Sequence, residues 1–219
     1  MKNIDKLINL INKENLFPNL SEDNFEEFFE IYLLSYDITE IDEAFICLQD
    51  EYLKSKYEDR IVDFKSAKKV CDSPLNIDTD LLVVFSENIL IDTAAIYNNS
   101  KSINNELIVR GGVELKKCLY REYEQDRFVL TYRRPYIVDG HNLCATKVAK
   151  ILIDIVCESN VRDEKILESI DNLGEWLKNN KINNCVICFD NSTKNNKTVK
   201  KHLKNTLKTN KIKEIIEFL

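Results

Sequence analysis

Glu87 is the residue with the clearest chemical potential in this chain. It stands in Leu81-Leu82-Val83-Val84-Phe85-Ser86-Glu87-Asn88-Ile89-Leu90-Ile91-Asp92, where three polar residues interrupt an apolar run. A carboxylate at a hairpin tip suits a hard cation such as Mg2+ or Mn2+, which takes oxygen ligands. A carboxylate in a solvated turn is the plain alternative. Arg110, directly before Gly111-Gly112, offers a planar guanidinium to a phosphate, or to a nearby acid. Cys185-x-x-Cys188 has the spacing of a metal or redox pair, but no second pair matches it and it lies in an apolar, strand-like run. It reads as two buried thiols. His141 and His202 have no Cys or His partner at metal-binding spacing. Gly-rich phosphate loops and the Gly-x-Ser-x-Gly nucleophile elbow are both missing.

Size and composition bound what these groups can do. The 219 residues suffice for one sizeable domain, and 44% hydrophobic with 31% charged residues is ordinary for a globular protein. Only 4 Gly and 3 Pro argue against a linker-rich chain. An odd 7 cysteines without a leader sequence argue against a disulfide framework. With no apolar stretch of membrane-spanning length, the cytoplasm is the expected location. The net charge of −6 argues against a general nucleic-acid binder. The exception is local: Lys194 to Lys213 is rich in Lys and Asn, with Lys197, Lys200, Lys201, Lys204, Lys208 and Lys211. This is either the solvated face of a helix or a patch for phosphate or a partner.

The elements that must position these residues follow from periodicity. Residues 3–14 predict a short amphipathic helix. A break follows at Pro18, and Ser21 caps a helix stapled by Leu20 and Phe25 and continued by Phe28, Phe29, Tyr32 and Leu33. A further helix spans 40–54, and Arg60 to Val70 reads as a strand or short helix. Residues 81–85 and 89–91 predict two strands flanking Ser86-Glu87-Asn88. Residues 94–105 read as a weak helix or loop. Residues 106–115 predict a strand broken by the two glycines, and 127–138 one or two more strands. Helices are expected over 142–158, 163–179 and 197–218, with a strand around Cys185–Cys188. The fold class expected is α/β, an α+β sandwich with a central, mostly antiparallel sheet flanked by helices. Residues 1–24 form an N-terminal helical segment, and 25–219 a single domain with a C-terminal helical extension.

Phe85-Ser86-Glu87-Asn88-Ile89 followed by Val109-Arg110-Gly111-Gly112-Val113 resembles the hairpin and next strand of class III nucleotide (adenylate/guanylate) cyclases. The resemblance covers residues 81–150. It implies Glu87 and Asp37, fifty residues upstream, as ligands of two Mg2+ or Mn2+ ions. It further implies Arg110 as a phosphate contact, and Asn142 and Lys147 as groups orienting ribose or stabilising the transition state. The implied activity converts a nucleoside triphosphate to a cyclic monophosphate and pyrophosphate, at a site shared between the protomers of a homodimer and with a signalling role. Phe25 to Leu33 has a helical period, however, and only Asp37-Ile38 survives of the family's first-strand motif. A non-catalytic nucleotide-binding or protein-interaction module on the same scaffold is therefore the first alternative. Tyr136-Ile137-Val138-Asp139-Gly140-x-Asn142 also resembles the opening of PIN/NYN ribonucleases, which implies Asp139 as a metal ligand with Asp190 as a second acid. A turn with Asn142 as a helix N-cap explains the same residues. Asp63-x-Lys65 resembles the Asp/Glu-x-Lys of metal-dependent nucleases, and a surface strand accounts for it equally.

Overall fold

Ile77–Ser86 is the backbone of the molecule. In a computed structural model these residues form one ten-residue strand whose last six positions are all buried. The structure describes residues 8, 9, 23, 25, 43–70, 73–89, 102–126, 133–190 and 193–218. Within them the strands are β1 (Val62–Asp63), β2 (Ile77–Ser86), β3 (Tyr136–Asp139), β4 (Ala145–Leu152), β5 (Asn184–Cys188) and β6 (Glu214–Phe218). The helices are α1 (Glu43–Tyr57), α2 (Phe64–Val70), α3 (Ile103–Asp126), α4 (Ser159–Lys178) and α5 (Lys197–Thr209). The strand order is β3-β4-β2-β5-β6, with β1 beside the start of β2.

The expected α/β class, a central sheet flanked by helices, is what the chain adopts. The sheet is mixed rather than mostly antiparallel. Only β3 and β4 run antiparallel, while β1–β2, β2–β4, β2–β5 and β5–β6 are parallel. Parallel strands need long crossovers, and these put helices on both faces. Leu82 and Val84 of β2 pack on the side of Leu107, Ile108, Leu115 and Leu119 from α3. Leu81, Val83 and Phe85 face the other way, toward Ile166, Ile170 and Leu173 of α4 and Val199, Leu203 and Leu207 of α5. Two apolar cores therefore sandwich one sheet, and a strand buried on both sides loses its alternating pattern.

Several expected elements change identity. A single strand ends at Ser86 and a bend follows over 87–89, and both neighbours of that strand, β4 and β5, run parallel to it; residues 90 and 91 of the expected second strand lie outside the described residues. Residues 106–115 lie within α3, which absorbs the Gly-Gly pair as a kink: Gly112 has φ 76° and ψ −170°, a backbone that favours glycine. Residues 145–152, expected to be helical, are strand β4. The C-terminal helix stops at Thr209, turns through Lys211 at φ 66°, and re-enters the sheet as β6. The 159–178 helix and the strand at Cys185–Cys188 are as expected. The helix of 40–54 is described as Glu43–Tyr57. The helices of 3–14 and 21–33, and the boundary at residue 24, lie outside the described residues apart from isolated positions. Among the described residues no helix is long and apolar enough to cross a membrane.

Candidate functional site

β2 is the point where the sheet changes direction of growth. The chain leaves β2 through α3 to reach β3 and β4 on one side, and leaves β4 through α4 to reach β5 on the other. Crossovers that diverge in this way open a crevice at the carboxyl ends of the parallel strands, where open α/β sheets hold ligands. Here that end gathers Ser86 to Ile89 after β2, Ile153 to Cys157 after β4, and Phe189 and Asp190 after β5.

Its geometry is well determined by hydrogen bonds. The Ser86 carbonyl accepts from Ile153 N at 2.9 Å, tying the two loops together. Ser86 Oγ donates to the Asn88 carbonyl at 2.8 Å, and Asn104 Nδ2 at the start of α3 donates to the same oxygen at 3.4 Å. Beneath them lies Lys150 of β4, fully buried, donating to the Ile89 carbonyl and to Asn104 Oδ1. Burial holds its ammonium pKa well below the ordinary lysine value. Phe85 stacks on Phe189, with ring centroids 5.3 Å apart, and Lys200 Nζ lies 4.7 Å from the Phe189 ring.

The loop after β4 carries the distinctive chemistry. Asp154 Oδ2 accepts from Lys165 Nζ at 2.6 Å and from Cys157 Sγ at 3.0 Å, while its Oδ1 accepts from Val156 N at 3.2 Å. The hydrogen bonds from Cys157 and Lys165 hold the carboxyl below its usual range, and the Asp154 carboxylate raises Lys165. Between these anchors the loop pushes Ile155 and Val156 outward, 54% and 92% exposed. Among the described residues the only other large apolar side chain so exposed is Ile61.

Of the site residues expected from sequence, Glu87, Arg110, Asn142 and Lys147 do not come together among the described residues. Arg110 sits on α3 and not on a strand, 3% exposed, and serves as a strut. It donates to the Leu75 carbonyl at 3.3 Å, Asn76 Oδ1 at 2.5 Å and Glu106 Oε1 at 3.2 Å, with its guanidinium 4.3 Å from the Tyr57 ring. Asn142 donates to Asp50 Oδ1 at 2.6 Å; no helix follows it to be capped, because β4 does. Lys147 pairs with Asp139 at 2.5 Å, and that hydrogen bond lowers the Asp139 pKa. Lys147 is level with Leu81, while Glu87 follows the far end of β2, about 17 Å further along the strand. Asp37 lies outside the described residues. Asp139 and Asp190 likewise fall toward opposite ends of the sheet, which parts the ribonuclease pair. Asp63 accepts from Lys65 N at 2.9 Å, a local turn contact. Cys185 and Cys188 are buried, and burial pushes both thiols up. Among the described residues no three His, Cys, Asp or Glu side chains cluster as a metal would need.

The groups that do meet, Asp154, Lys165, Cys157 and the Ile155-Val156 lip, went unmarked in the sequence. The available signal was Lys150 inside the apolar run Val148 to Ile153, with Asp154 at its end. That is the pattern of a buried strand emerging at a polar edge.

Known proteins supply an independent test of the fold. No family profile matches this chain, and no curated protein matches its sequence. Among solved structures, the Trypanosoma brucei macrodomain in complex with ADP-ribose aligns with a TM-score of 0.51 at 10% identity, over 86% of this chain and 88% of that one. The fold is that of a macrodomain. The macro domain of ganglioside induced differentiation associated protein 2 (TM-score 0.49, 12% identity, 72% and 88% covered) and the Oceanobacillus iheyensis macrodomain with ADP (0.48, 12%, 65% and 77%) align more loosely and add no weight. This overturns the class III cyclase resemblance, and with it the two-metal cyclising reaction and the metal-binding expectation. The motifs that carried the resemblance sit on a strand end and a helix here, not on a hairpin and a strand.

Proposed function

We propose that this chain binds an ADP-ribose-like nucleotide in the crevice at the carboxyl ends of β2, β4 and β5. The observation that carries the reading is the Ile155-Val156 lip, which exposes two adjacent apolar side chains at the switch point of the sheet. A base or ribose face laid against them would remove that surface from water. Asp154, held ionised by its Cys157 and Lys165 hydrogen bonds, is an acceptor for ribose hydroxyls and not a proton donor, so the reading is one of binding. The amino end of α4, directly after the loop, favours a diphosphate. The likeness to a macrodomain held with ADP-ribose supports the choice of ligand.

Calorimetric titration with ADP-ribose, ADP and ATP tests this. ADP-ribose is expected to bind, and Val156→Glu to weaken it about tenfold, which is about 1.4 kcal/mol. Absence of ADP-ribose binding, or full affinity in Val156→Glu, overturns the reading. A nucleoside triphosphate ligand and a homodimer stand within the same proposal; ATP is one titrant, and sedimentation equilibrium reports the oligomer.

A further inference from the structure

The charge of this chain is divided unevenly. Lys194 to Lys213 holds eight lysines and no aspartate or glutamate, so with −6 for the whole chain the remainder carries −14. α5 sets these lysines in register. Lys197, Lys201, Lys204 and Lys208 recur at i, i+4, i+7 and i+11, on the face turned away from buried Val199, Leu203 and Leu207. Asn196 caps the helix by accepting from Val199 N at 3.1 Å, and Lys211 and Lys213 extend the charge through the exposed exit turn.

Neighbouring acids leave this stripe largely uncompensated. On α4, Asp163 accepts from the α5 cap residue Asn196 at 3.0 Å, Asp171 is engaged by His202, Glu175 by Lys178, and Glu164 and Glu168 by Arg133. Glu217 of β6 takes Lys204 at 2.7 Å. Lys197, Lys201, Lys208, Lys211 and Lys213 make no ion pair among the described residues. Concentrating like charge on one face costs self-repulsion, which a polyanion would relieve.

The chemistry of the face selects the polyanion. From Lys197 to Lys208 the helix rises about 16 Å, the axial span of about five phosphates of one strand. Thr198, Asn205 and Thr209 are exposed along one flank of the lysine stripe, and hydroxyls and amides of this kind also donate to phosphate oxygens. A lipid-inserting helix needs an exposed apolar edge. The exposed large apolar side chains among the described residues are Ile61, Ile155 and Val156, none of them on α5. We propose that the outer face of α5 is a docking track for the phosphate backbone of a nucleic acid, bound without base readout. The track starts next to the carboxyl end of β5, yet it does not depend on the nucleotide reading of the crevice.

Fluorescence anisotropy of the full chain with labelled single strands and duplexes of roughly 20 nucleotides tests the proposal. Binding to at least one is expected, with a log–log salt slope of about −3 to −4. The charge reversal Lys197→Glu/Lys201→Glu/Lys208→Glu is expected to weaken it roughly thirtyfold or more, while the matching Lys→Arg triple retains it. These side chains are exposed, so an unchanged thermal midpoint certifies the fold of each variant. Val156→Glu in the crevice leaves the affinity within about twofold, separating this proposal from the one above. No binding at low salt, undiminished affinity in the charge reversal, or capture by phosphatidylserine vesicles but by no nucleic acid would overturn it.

Discussion

The two ends of the sheet are built on different terms. At the amino end, neighbouring strands are stapled: Asp80 accepts from Asn183 N and Nδ2 at 2.6 and 3.0 Å, and Asn184 Oδ1 accepts from Asp80 N and Thr79 Oγ1 at 2.7 and 2.9 Å. Arg110 fastens α3 to the turn that opens β2. The carboxyl end is also tied, by Ile153 N on the Ser86 carbonyl and by Lys150 on Ile89 and Asn104, yet it shows Ile155 and Val156 to water. The contrast teaches that one end serves the fold and the other is kept available, the usual division between a rigid scaffold and the loops that carry function.

Substitutions can break or sharpen that contrast. The largest effect is expected at the amino end. A Cβ on Gly140 would fall 1.7 Å from the Ala145 carbonyl oxygen, a backbone atom that cannot step aside. Gly140→Ala should cost about 3 kcal/mol in urea unfolding; a change under about 1 kcal/mol would show that this turn does not carry the load assigned to it. At the carboxyl end, Lys165→Met leaves Asp154 without its cation and should cost about 1–2 kcal/mol at neutral pH, since both groups are mostly but not wholly buried. The pH dependence has a defined sign. The folded-state pKa of Asp154 is lowered, so its contribution is present above the unfolded carboxylate value and is lost as pH falls through the folded one. Unfolding between neutral and strongly acid pH should therefore show a shallower acid loss in the variant.

Lys150 sharpens the comparison from beneath the loop that follows β2. Its folded pKa is depressed, so the unfolded chain binds more protons over the window from that value up to about 10.4, and stability rises with pH across it. Lys150→Met should flatten this rise in the thermal midpoint, with a net change of about 1 kcal/mol or less at neutral pH, because removing a buried amine offsets the loss of the donor to the Ile89 and Asn104 oxygens. An unchanged slope would mean that the amine stays charged. The smallest effect is expected at the lip, where Val156→Ser should alter stability by less than about 0.5 kcal/mol. A larger loss would make the lip part of the fold.

What could be read from the sequence follows from burial. α4 was legible because Ile166, Ile170, Leu173 and Leu177 keep a helical period against a solvated face. β5 was legible as a short apolar run between polar turns. α3 was not, because Leu107, Ile108 and Val109 are consecutive and all buried, so the period vanishes and β-branched residues beside Gly-Gly imitate a strand. β4 misled in the opposite sense: Val148 to Ile153 is buried on both faces and includes Ala149 and Lys150, both good helix formers. β6 was hidden because the helix before it ends at Asn210-Lys211 and not at a glycine. The candidate site suffered most, since it is assembled only where the carboxyl ends of β2, β4 and β5 meet. No local motif announces that meeting, and the resemblance built on Glu87 and Arg110 joined residues that the fold separates.

The central place of β2 also sets an order of events. Its partners β4 and β5 are Ala145–Leu152 and Asn184–Cys188, and β5 in turn awaits Glu214–Phe218, whose Phe218 carbonyl accepts from Phe189 N at 3.1 Å. A ribosome that has made β2 must add more than a hundred residues before both neighbours are out. Until then a bare apolar strand waits for distant contacts, a slow and aggregation-exposed route. Growth in the presence of a chaperone that shields such strands should therefore govern how much of this chain reaches its native state.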